Sequence, residues 1–249
     1  MRKHTGSRKR RVRSRGKSSA AAEQAAVIVA QLKSLANPAN AAGMARYGIR
    51  GQQVLGVNIP VLRKMAKSLR GDHQLARALW ISEVHEARLL AGFIDNPERV
   101  TEAQMERWVR DFDSWDLCDG VCSNLFDRTP FAYEKAVAWS RREEEYVKRA
   151  GFVLMAALAV HDKDAPDALF GRFLQRIEVE AQDERNFVKK AVNWALRGIG
   201  KRNLKLHAKA LQVARRLERA DESVPRWVGR DAVKELTGEK VKERLRLKA

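Results

Sequence analysis

Several features that commonly determine a fold are scarce in this 249-residue chain. It has two cysteines, six prolines and fifteen glycines, whereas 32% of its residues are charged. Few glycines and prolines favour helices over turn-rich β structure. No apolar run approaches the roughly 20 residues that span a bilayer, and the first residues lack the apolar segment of a signal peptide. We therefore expect an all-α protein of a reducing, cytoplasmic compartment, without a membrane partner.

The two cysteines, Cys118 and Cys122, are four residues apart on one predicted helix. Helical backbone separates such a pair too far for an unstrained disulfide. No cluster of cysteine and histidine with metal-ligand spacing is present, so we predict reduced core cysteines and neither a metal nor a cofactor. The chain also lacks a phosphate-binding glycine loop and a nucleophile elbow, which disfavours nucleotide-dependent and acyl-transfer chemistry.

Acidic residues are absent from residues 1–18, which carry nine lysines and arginines. Such a segment is predicted to be a disordered basic tail, with residues 19–249 forming a single domain. The net charge of +18 is thus shared about equally between tail and body, and it indicates a polyanionic partner, most often nucleic acid. The tail is interpreted as an electrostatic arm; the alternative is a tail that only improves solubility.

From residue 19 onward, nearly all apolar residues follow the 3.6-residue period of a helix, and no convincing strand is found. Asparagine, aspartate, serine, threonine, proline and glycine mark the helix ends. The predicted helices are 19–35, 38–47, 58–70, 72–80, 83–94, 101–112, 114–126, 130–140, 143–160, 165–181, 184–199, 204–220, 224–236 and a short basic helix at the end.

A weak repeat relates several of these helices. The residues Val-Lys-Arg-Ala at 147–150 recur as Val-Lys-Lys-Ala at 188–191 and loosely as Val-His-Glu-Ala at 84–87. The 41-residue separation of the first two is typical of HEAT-like helical pairs. Such pairs bury their apolar sides by stacking. We therefore predict a curved solenoid whose concave side is a basic groove of about duplex width.

The stretch 113–119, Asp-Ser-Trp-Asp-Leu-Cys-Asp, contains the most distinctive candidate site. Trp115 and Asp119 are one turn apart on one helix face, with Asp113 or Ser114 expected to cap the helix and Asp116 expected to serve its first turn. If that face is open to solvent, an aromatic plane and a carboxylate form a usable site. If the face is covered, both residues are ordinary packing.

Trp194 lies in a different setting from most tryptophans. Lys190, Arg197 and Lys201 are four residues before it and three and seven after it, so it belongs to a basic helical stripe rather than to a core position. The remaining tryptophans are interpreted as packing residues: Trp80, Trp108, Trp139 and Trp227.

Four stretches together resemble the AlkD-like DNA alkylation repair family, which are helical-repeat DNA glycosylases. They are residues 47–67, with Leu-Gly-Val-Asn-Ile-Pro-Val-Leu-Arg-Lys at 55–64; residues 80–90; Ser-Trp-Asp-Leu-Cys-Asp at 114–119; and Phe-Val-Lys-Lys-Ala-Val-Asn-Trp-Ala-Leu-Arg at 187–197. The resemblance extends over roughly residues 21–236. It implies a HEAT-like fold that binds double-stranded DNA containing alkylated bases.

The resemblance also implies roles for individual residues. Asp119 matches the catalytic carboxylate, and Trp115 and Trp194 match the residues that flank the damaged nucleotide. Arg149, Arg197 and Tyr47 would contact the DNA backbone or the lesion, with Lys190 in the same basic stripe as Trp194. The implied protein is a monomeric, metal-free and cofactor-free glycosylase of base excision repair, which acts without base flipping and is nucleoid-associated when bound to DNA.

The chemistry is consistent with these residue types. An N3- or N7-alkylated purine is cationic and leaves without protonation, so one carboxylate that stabilises an oxocarbenium-like sugar and orients water is sufficient. Two alternatives remain open: a non-catalytic binder of branched or distorted DNA, and a helical scaffold for protein partners. The glycosylase hypothesis requires Trp194 to converge with Trp115 and Asp119 across one groove.

Overall fold

The structure is a computed structural model that describes residues 5–51 and 53–247, with side chains from residue 19 onward. Two compact units, Met1–Thr101 (unit 1) and Glu102–Ala249 (unit 2), make up the chain. Helices are the only regular structure in the described ranges, which confirms the predicted all-α class. The sequence-based expectation that residues 19–249 form a single domain stays a prediction.

The described ranges contain fourteen α-helices, and each helix predicted from the sequence has a counterpart. Those of unit 1 are α1 (Thr5–Ser34), α2 (Pro38–Arg46), α3 (Ile59–Ala66), α4 (His73–Ile81) and α5 (His85–Ile94). Those of unit 2 are α6 (Glu102–Arg110), α7 (Trp115–Asn124), α8 (Ala132–Trp139), α9 (Glu145–His161), α10 (Asp167–Glu180), α11 (Asn186–Gly200), α12 (Leu204–Glu218), α13 (Ser223–Leu236) and α14 (Glu239–Arg246). Short 3₁₀ turns follow α5 and α7.

The basic segment 1–18 precedes the first residues whose side chains are described. Helix α1 begins at Thr5, so its backbone includes most of this segment. The side chains of residues 1–18 lie outside the described residues. The predicted disorder and DNA-contacting role of this segment therefore stay predictions.

Polar side chains fix several helix starts where the sequence places them. The side chains of Asn37, Asp72 and Asn203 each accept a hydrogen bond from the backbone N–H three residues later, at 2.9–3.0 Å. Each therefore satisfies one of the four N–H groups that a helix start leaves unpaired. Ser114 has the extended backbone of an N-cap before α7, but its side chain makes no capping bond. Ser114 therefore occupies the N-cap position predicted for Asp113 or Ser114, without a side-chain bond to the helix.

A buried carboxylate of unit 1 binds the backbone of residues 55–57, which precede α3. Glu86 is fully buried, and its Oε1 accepts from the backbone N–H groups of Leu55, Gly56 and Val57 at 3.1, 2.7 and 3.2 Å. Gly56 has a φ of +77°, and a Cβ there would lie 2.3 Å from the carbonyl oxygen of Asn37. Only glycine fits this turn, so the backbone of residues 55–57 is tightly specified.

In unit 2, α8 with α9 and α12 with α13 form antiparallel pairs in close contact. A Cβ on Gly151 of α9 would lie 2.4 Å from the backbone nitrogen of Ser140, directly after α8. Similarly, a Cβ on Gly229 of α13 would lie 2.1 Å from the backbone nitrogen of Glu218 in α12. Glycine lets each pair approach at backbone distance, as helical-pair repeats require.

Helices α7, α9, α11 and α13 run parallel beside one another. The thiols of Cys118 and Cys122 face the carbonyl oxygens of Tyr146 and Ala150, at 3.7 and 4.0 Å, so α7 and α9 advance together. The same argument applies to α11 and α13, whose partners are spaced alike: Asn193 binds Asp231 and Arg197 binds Glu235. This layer carries most of the predicted site residues.

The cysteines behave as predicted, since both are free and buried. Burial raises the pKa of the Cys122 thiol well above its ordinary value, which keeps the thiol protonated. None of the helices in the described ranges combines the length and apolar character needed to cross a membrane.

Candidate functional site

Helix α7 presents one partly accessible face, and Asp119 lies near its middle. Trp115, Asp116 and Asp119 are all intermediate in exposure. The opposite face, formed by Leu117, Cys118, Val121 and Cys122, is fully buried. The Asp119 side chain keeps 20% of its exposure, so part of it faces solvent.

Arg149 of α9 holds the Asp119 carboxylate in a two-point ion pair. Its Nε donates to Oδ1 at 2.9 Å and its Nη2 donates to Oδ2 at 2.7 Å. A guanidinium in this fork geometry fixes both the position and the plane of a carboxylate. The arginine side chain is itself only 6% exposed, so the pair is shielded on the protein side.

Two opposing influences set the pKa of Asp119. Burial raises this pKa above its ordinary value, and the nearby Asp116 acts in the same direction. The charge and hydrogen bonds of Arg149 oppose the rise. The arginine therefore favours the ionised carboxylate in a setting that would otherwise favour its protonated form.

The guanidinium of Arg149 connects three parallel helices. Its Nη1 donates to the carbonyl oxygen of Phe187, in the first turn of α11, while its other donors bind Asp119 of α7. The Phe187 ring stacks on Tyr146 of α9, with ring centroids 5.9 Å apart. Burial raises the pKa of Tyr146 to about 12, so its phenol remains a neutral group beside the ion pair.

The predicted basic stripe of α11 is its accessible face. Lys190 is exposed, and Trp194, Arg197 and Lys201 are half-buried. Arg197 and Lys201 both pair with Glu235 of α13, and Arg197 also lies 3.5 Å from Asp231. These acids neutralise part of the stripe, so a phosphate would have to compete for both cations.

Trp194 lines an open cavity of about 430 Å³ in unit 2. Ala159 and Val160, at the C-terminal end of α9, contribute to this cavity together with Arg202 and Arg244. Arg202 is held in place by the carbonyl oxygens of Ala159, Asp162, Lys163 and Ala165. Trp194 thus adjoins a wall that is rich in cations.

Of the predicted site residues, the structure joins Asp119 and Arg149 directly. The convergence of Trp115 and Trp194 on this pair stays a prediction. So do the DNA contacts of Arg149 and Arg197, whose guanidinium groups bind protein carboxylates in this structure. Tyr47 belongs to unit 1, where it follows α2 and is 75% exposed.

One tryptophan does not match its predicted role. Trp80, Trp108 and Trp139 are buried, as expected for packing residues, whereas Trp227 is 41% exposed. The prediction that Trp227 is a packing residue is therefore wrong. A sequence signal existed, because the buried Val228, Ala232 and Leu236 lie on the opposite side of α13 from Trp227.

Within the described residues, no three side chains of histidine, cysteine, aspartate or glutamate are grouped as a metal ion would require. The ionisable groups of the site are the partly exposed Asp119, the buried Arg149 that binds it, and the cations of α11. Such an arrangement can bind an anionic backbone and can stabilise positive charge that develops beside the carboxylate.

The chain is similar to known proteins in sequence and in fold. Residues 28–236 match the family model described as DNA alkylation repair enzyme. An uncharacterized protein of Listeria innocua is 25% identical over 189 residues, which are 74% of this chain and 82% of the relative. A solved structure has a TM-score of 0.73 at 19% identity, over 88% of this chain and 94% of the other. That protein is described as part of a new family related to the HEAT-like repeat DNA glycosylases, with affinity for branched DNA structures.

Proposed function

The chain belongs to the DNA alkylation repair enzyme family, and on that basis we propose that it is a DNA glycosylase. Its reaction is hydrolysis of the N-glycosidic bond of N3- or N7-alkylated purines in duplex DNA, without base flipping, in base excision repair. The observation that carries this proposal is the Asp119 carboxylate, partly accessible and fixed by the two-point ion pair with Arg149.

The reaction requires few catalytic groups of the protein beyond this carboxylate. In an alkylated purine nucleotide the base is a cation, and the C1′–N bond breaks with its electron pair passing to the base, which departs neutral. Positive charge then develops on the sugar, and Asp119 offsets it. A water oxygen bonds to C1′, and Asp119 accepts the proton that the water loses.

Arg149 serves as a positioning residue in this scheme. Its fork fixes the carboxylate plane, and its charge favours ionisation at neutral pH despite the burial of Asp119. Trp115 and Trp194 are proposed to hold the cationic nucleotide by cation–π contact, on the order of 1–2 kcal/mol each when desolvated. Lys190, Arg197 and Tyr47 are proposed to contact the DNA backbone.

The decisive experiment measures base release from N7-alkylated duplex DNA under single-turnover conditions. Asp119→Asn is expected to lower the rate by about 10²- to 10⁴-fold, because it removes the charge and the proton acceptor. Asp116→Asn is the matched control: it removes a carboxylate from the same helix face and should keep most of the rate. Undiminished release by Asp119→Asn refutes the catalytic role of Asp119.

A second candidate function is non-catalytic binding of branched DNA. The observation that favours it is the likeness in fold to the protein with affinity for branched DNA structures. The buried ion pair is compatible with it, since a carboxylate held by arginine also stabilises structure. Tight binding of a three-way junction with no base release by the wild-type protein would select this candidate.

A further inference from the structure

Helix α13 carries a tryptophan at the centre of its solvent-facing side. At about 100° per residue, Lys234 lies about 20° and Arg230 about 60° from Trp227 around the helix axis. Pro225, Val228, Gly229, Ala232 and Leu236 form the buried side. Trp227 therefore points away from the core, on the same side of the helix as two exposed cations that lie one and two turns after it.

Trp227 forms the first rung of a ladder between the parallel helices α11 and α13. The Nζ of Lys189 lies 5.6 Å from the centre of the indole ring. One turn further, Asn193 donates to Asp231 at 2.7 Å, and after another turn Arg197 binds Glu235. Each rung spans the two helices in register, so the indole is held beside the predicted DNA-binding stripe of α11.

The ladder also determines which charges remain available on this surface. The acids of α13, Asp231 and Glu235, are paired with Asn193, Arg197 and Lys201. Lys190, Arg230 and Lys234 are exposed, and among the described side chains no ion pair is found for them. An exposed indole with such cations on its own helix and on the neighbouring helix suits an anionic ligand that also has a flat aromatic part.

A nucleic-acid strand with unstacked bases has that chemistry. Every base has a π-face that stacks on an aromatic side chain, and its phosphates bind nearby lysine and arginine. In a fully paired duplex the base faces are covered by neighbouring pairs, so only unpaired bases can stack on the protein. A protein partner is a poorer fit, because the surroundings of Trp227 are cationic rather than apolar.

We propose that Trp227 is a stacking platform for an unpaired base, with Arg230 and Lys234 binding the adjoining phosphates. The ligand class is DNA that contains single-stranded nucleotides, as at a gap or a branch point. The proposal rests on the DNA-binding part of the proposed function and not on base release. It adds a contact that distinguishes gapped or branched DNA from intact duplex.

The test compares binding of the full-length protein to a fully paired duplex and to the same duplex with a three-nucleotide gap, at fixed salt. Trp227→Leu keeps an apolar side chain and removes the ring, and it should weaken gap binding about 5- to 100-fold, the range expected for one base–aromatic stack. Its affinity for paired duplex should change much less. Trp227→Phe keeps a ring and should retain most of the preference for the gap.

A further variant tests the proposed phosphate contact of Arg230, and a lysine variant on another helix is its control. Arg230→Gln should weaken binding to the gapped duplex and lower the salt dependence of that binding by the equivalent of about one neutralised phosphate. Lys209→Gln, an exposed lysine on α12, is the matched control and should bind like the wild-type protein. Thermal melting of each variant identifies any loss of fold.

Several results would overturn the proposal. These are an unchanged gap affinity in Trp227→Leu, an equal loss of affinity for gapped and paired DNA, or a loss in Trp227→Phe as large as that in Trp227→Leu. Because these measurements are of binding alone, a wild-type protein that releases no base leaves them intact. Conversely, failure of the stacking proposal leaves the Asp119 test unaffected.

Discussion

The buried arginine beside Asp119 has a double effect. Arg149 lowers the pKa of the carboxyl against the rise caused by burial, and its own side chain is almost fully enclosed. Removing one partner of such a pair typically costs about 3–5 kcal/mol of stability, because the other charge is left buried and unpaired. Stability and catalysis are therefore coupled at this residue.

A pH profile can separate the two contributions. Base release needs the ionised Asp119, so the rate should rise with pH through the raised pKa of this group. Arg149→Met removes the groups that lower this pKa and should move the acid limb to higher pH. Arg149→Lys keeps the charge and should shift the limb less. The measurement is single-turnover base release against pH, corrected for spontaneous depurination.

The contribution of Asp119 to the stability of the folded protein should change with pH in the opposite direction to the rate. A carboxyl whose pKa is raised on folding stabilises the protein when protonated, and this contribution is lost as the pH rises through the raised pKa. The loss of stability in Arg149→Met should therefore be largest at neutral pH and smaller in acid. Arg149→Met combined with Asp119→Asn should recover part of that loss. Equal stability losses at both pH values would contradict this account.

At the scale of helices, the fold requires paired helix backbones to approach closely. Substitution of a glycine at the contact tests this requirement directly. Gly229 of α13 faces the backbone of α12, where a Cβ would lie 2.1 Å from the nitrogen of Glu218. Gly229→Ala should force the pair apart and destabilise unit 2 by about 1–3 kcal/mol, as overpacking of a tight core does. Urea unfolding monitored by circular dichroism measures the change.

A matched glycine supplies the control for this prediction. Gly171 lies inside α10, and a Cβ there would meet nothing within 4 Å. Gly171→Ala should leave stability unchanged or raise it by up to about 1 kcal/mol, because alanine is the better helix former. If both substitutions destabilise alike, helix propensity or the unfolded state, and not the close approach of α12 and α13, controls the outcome.

At the scale of the whole molecule, charge sets the strength of DNA binding. Half of the net charge of +18 corresponds to the nine cations of residues 1–18. Replacing these nine by glutamine should lower affinity for any duplex and reduce the salt slope by about 0.9 for each phosphate that the segment no longer neutralises. Binding measured from low to high salt tests this.

The basic segment is not expected to contribute specificity. The glutamine variant should keep the wild-type ratio of affinities for gapped and paired DNA, because phosphate contacts carry no information about base pairing. A variant with the nine cations in shuffled order should bind like the wild-type protein. An unchanged salt slope in the glutamine variant would identify the segment as a solubilising tail.

The helices follow from the sequence alone because their signals are local. Asn37, Asp72 and Asn203 mark helix starts by bonds to backbone groups three residues away, and apolar residues repeat at 3.6-residue intervals. The exact ends of helices are predicted less well. The helix predicted for 114–126 ends at Asn124, because the backbone of Leu125 is not helical. The burial of both cysteines and the all-α class follow from the same local patterns.

The electrostatic pairing of the site was decided only by the tertiary structure. Asp119 and Arg149 are 30 residues apart, and Arg197 and Glu235 are 38 apart. Periodicity places each residue on a face of its own helix. It does not predict which side chain of another helix that residue will contact. The contact between Lys189 and the Trp227 ring has the same origin, since it depends on how α11 lies beside α13. Sequence identifies Asp119 as a candidate carboxylate, and packing supplies the arginine that holds it.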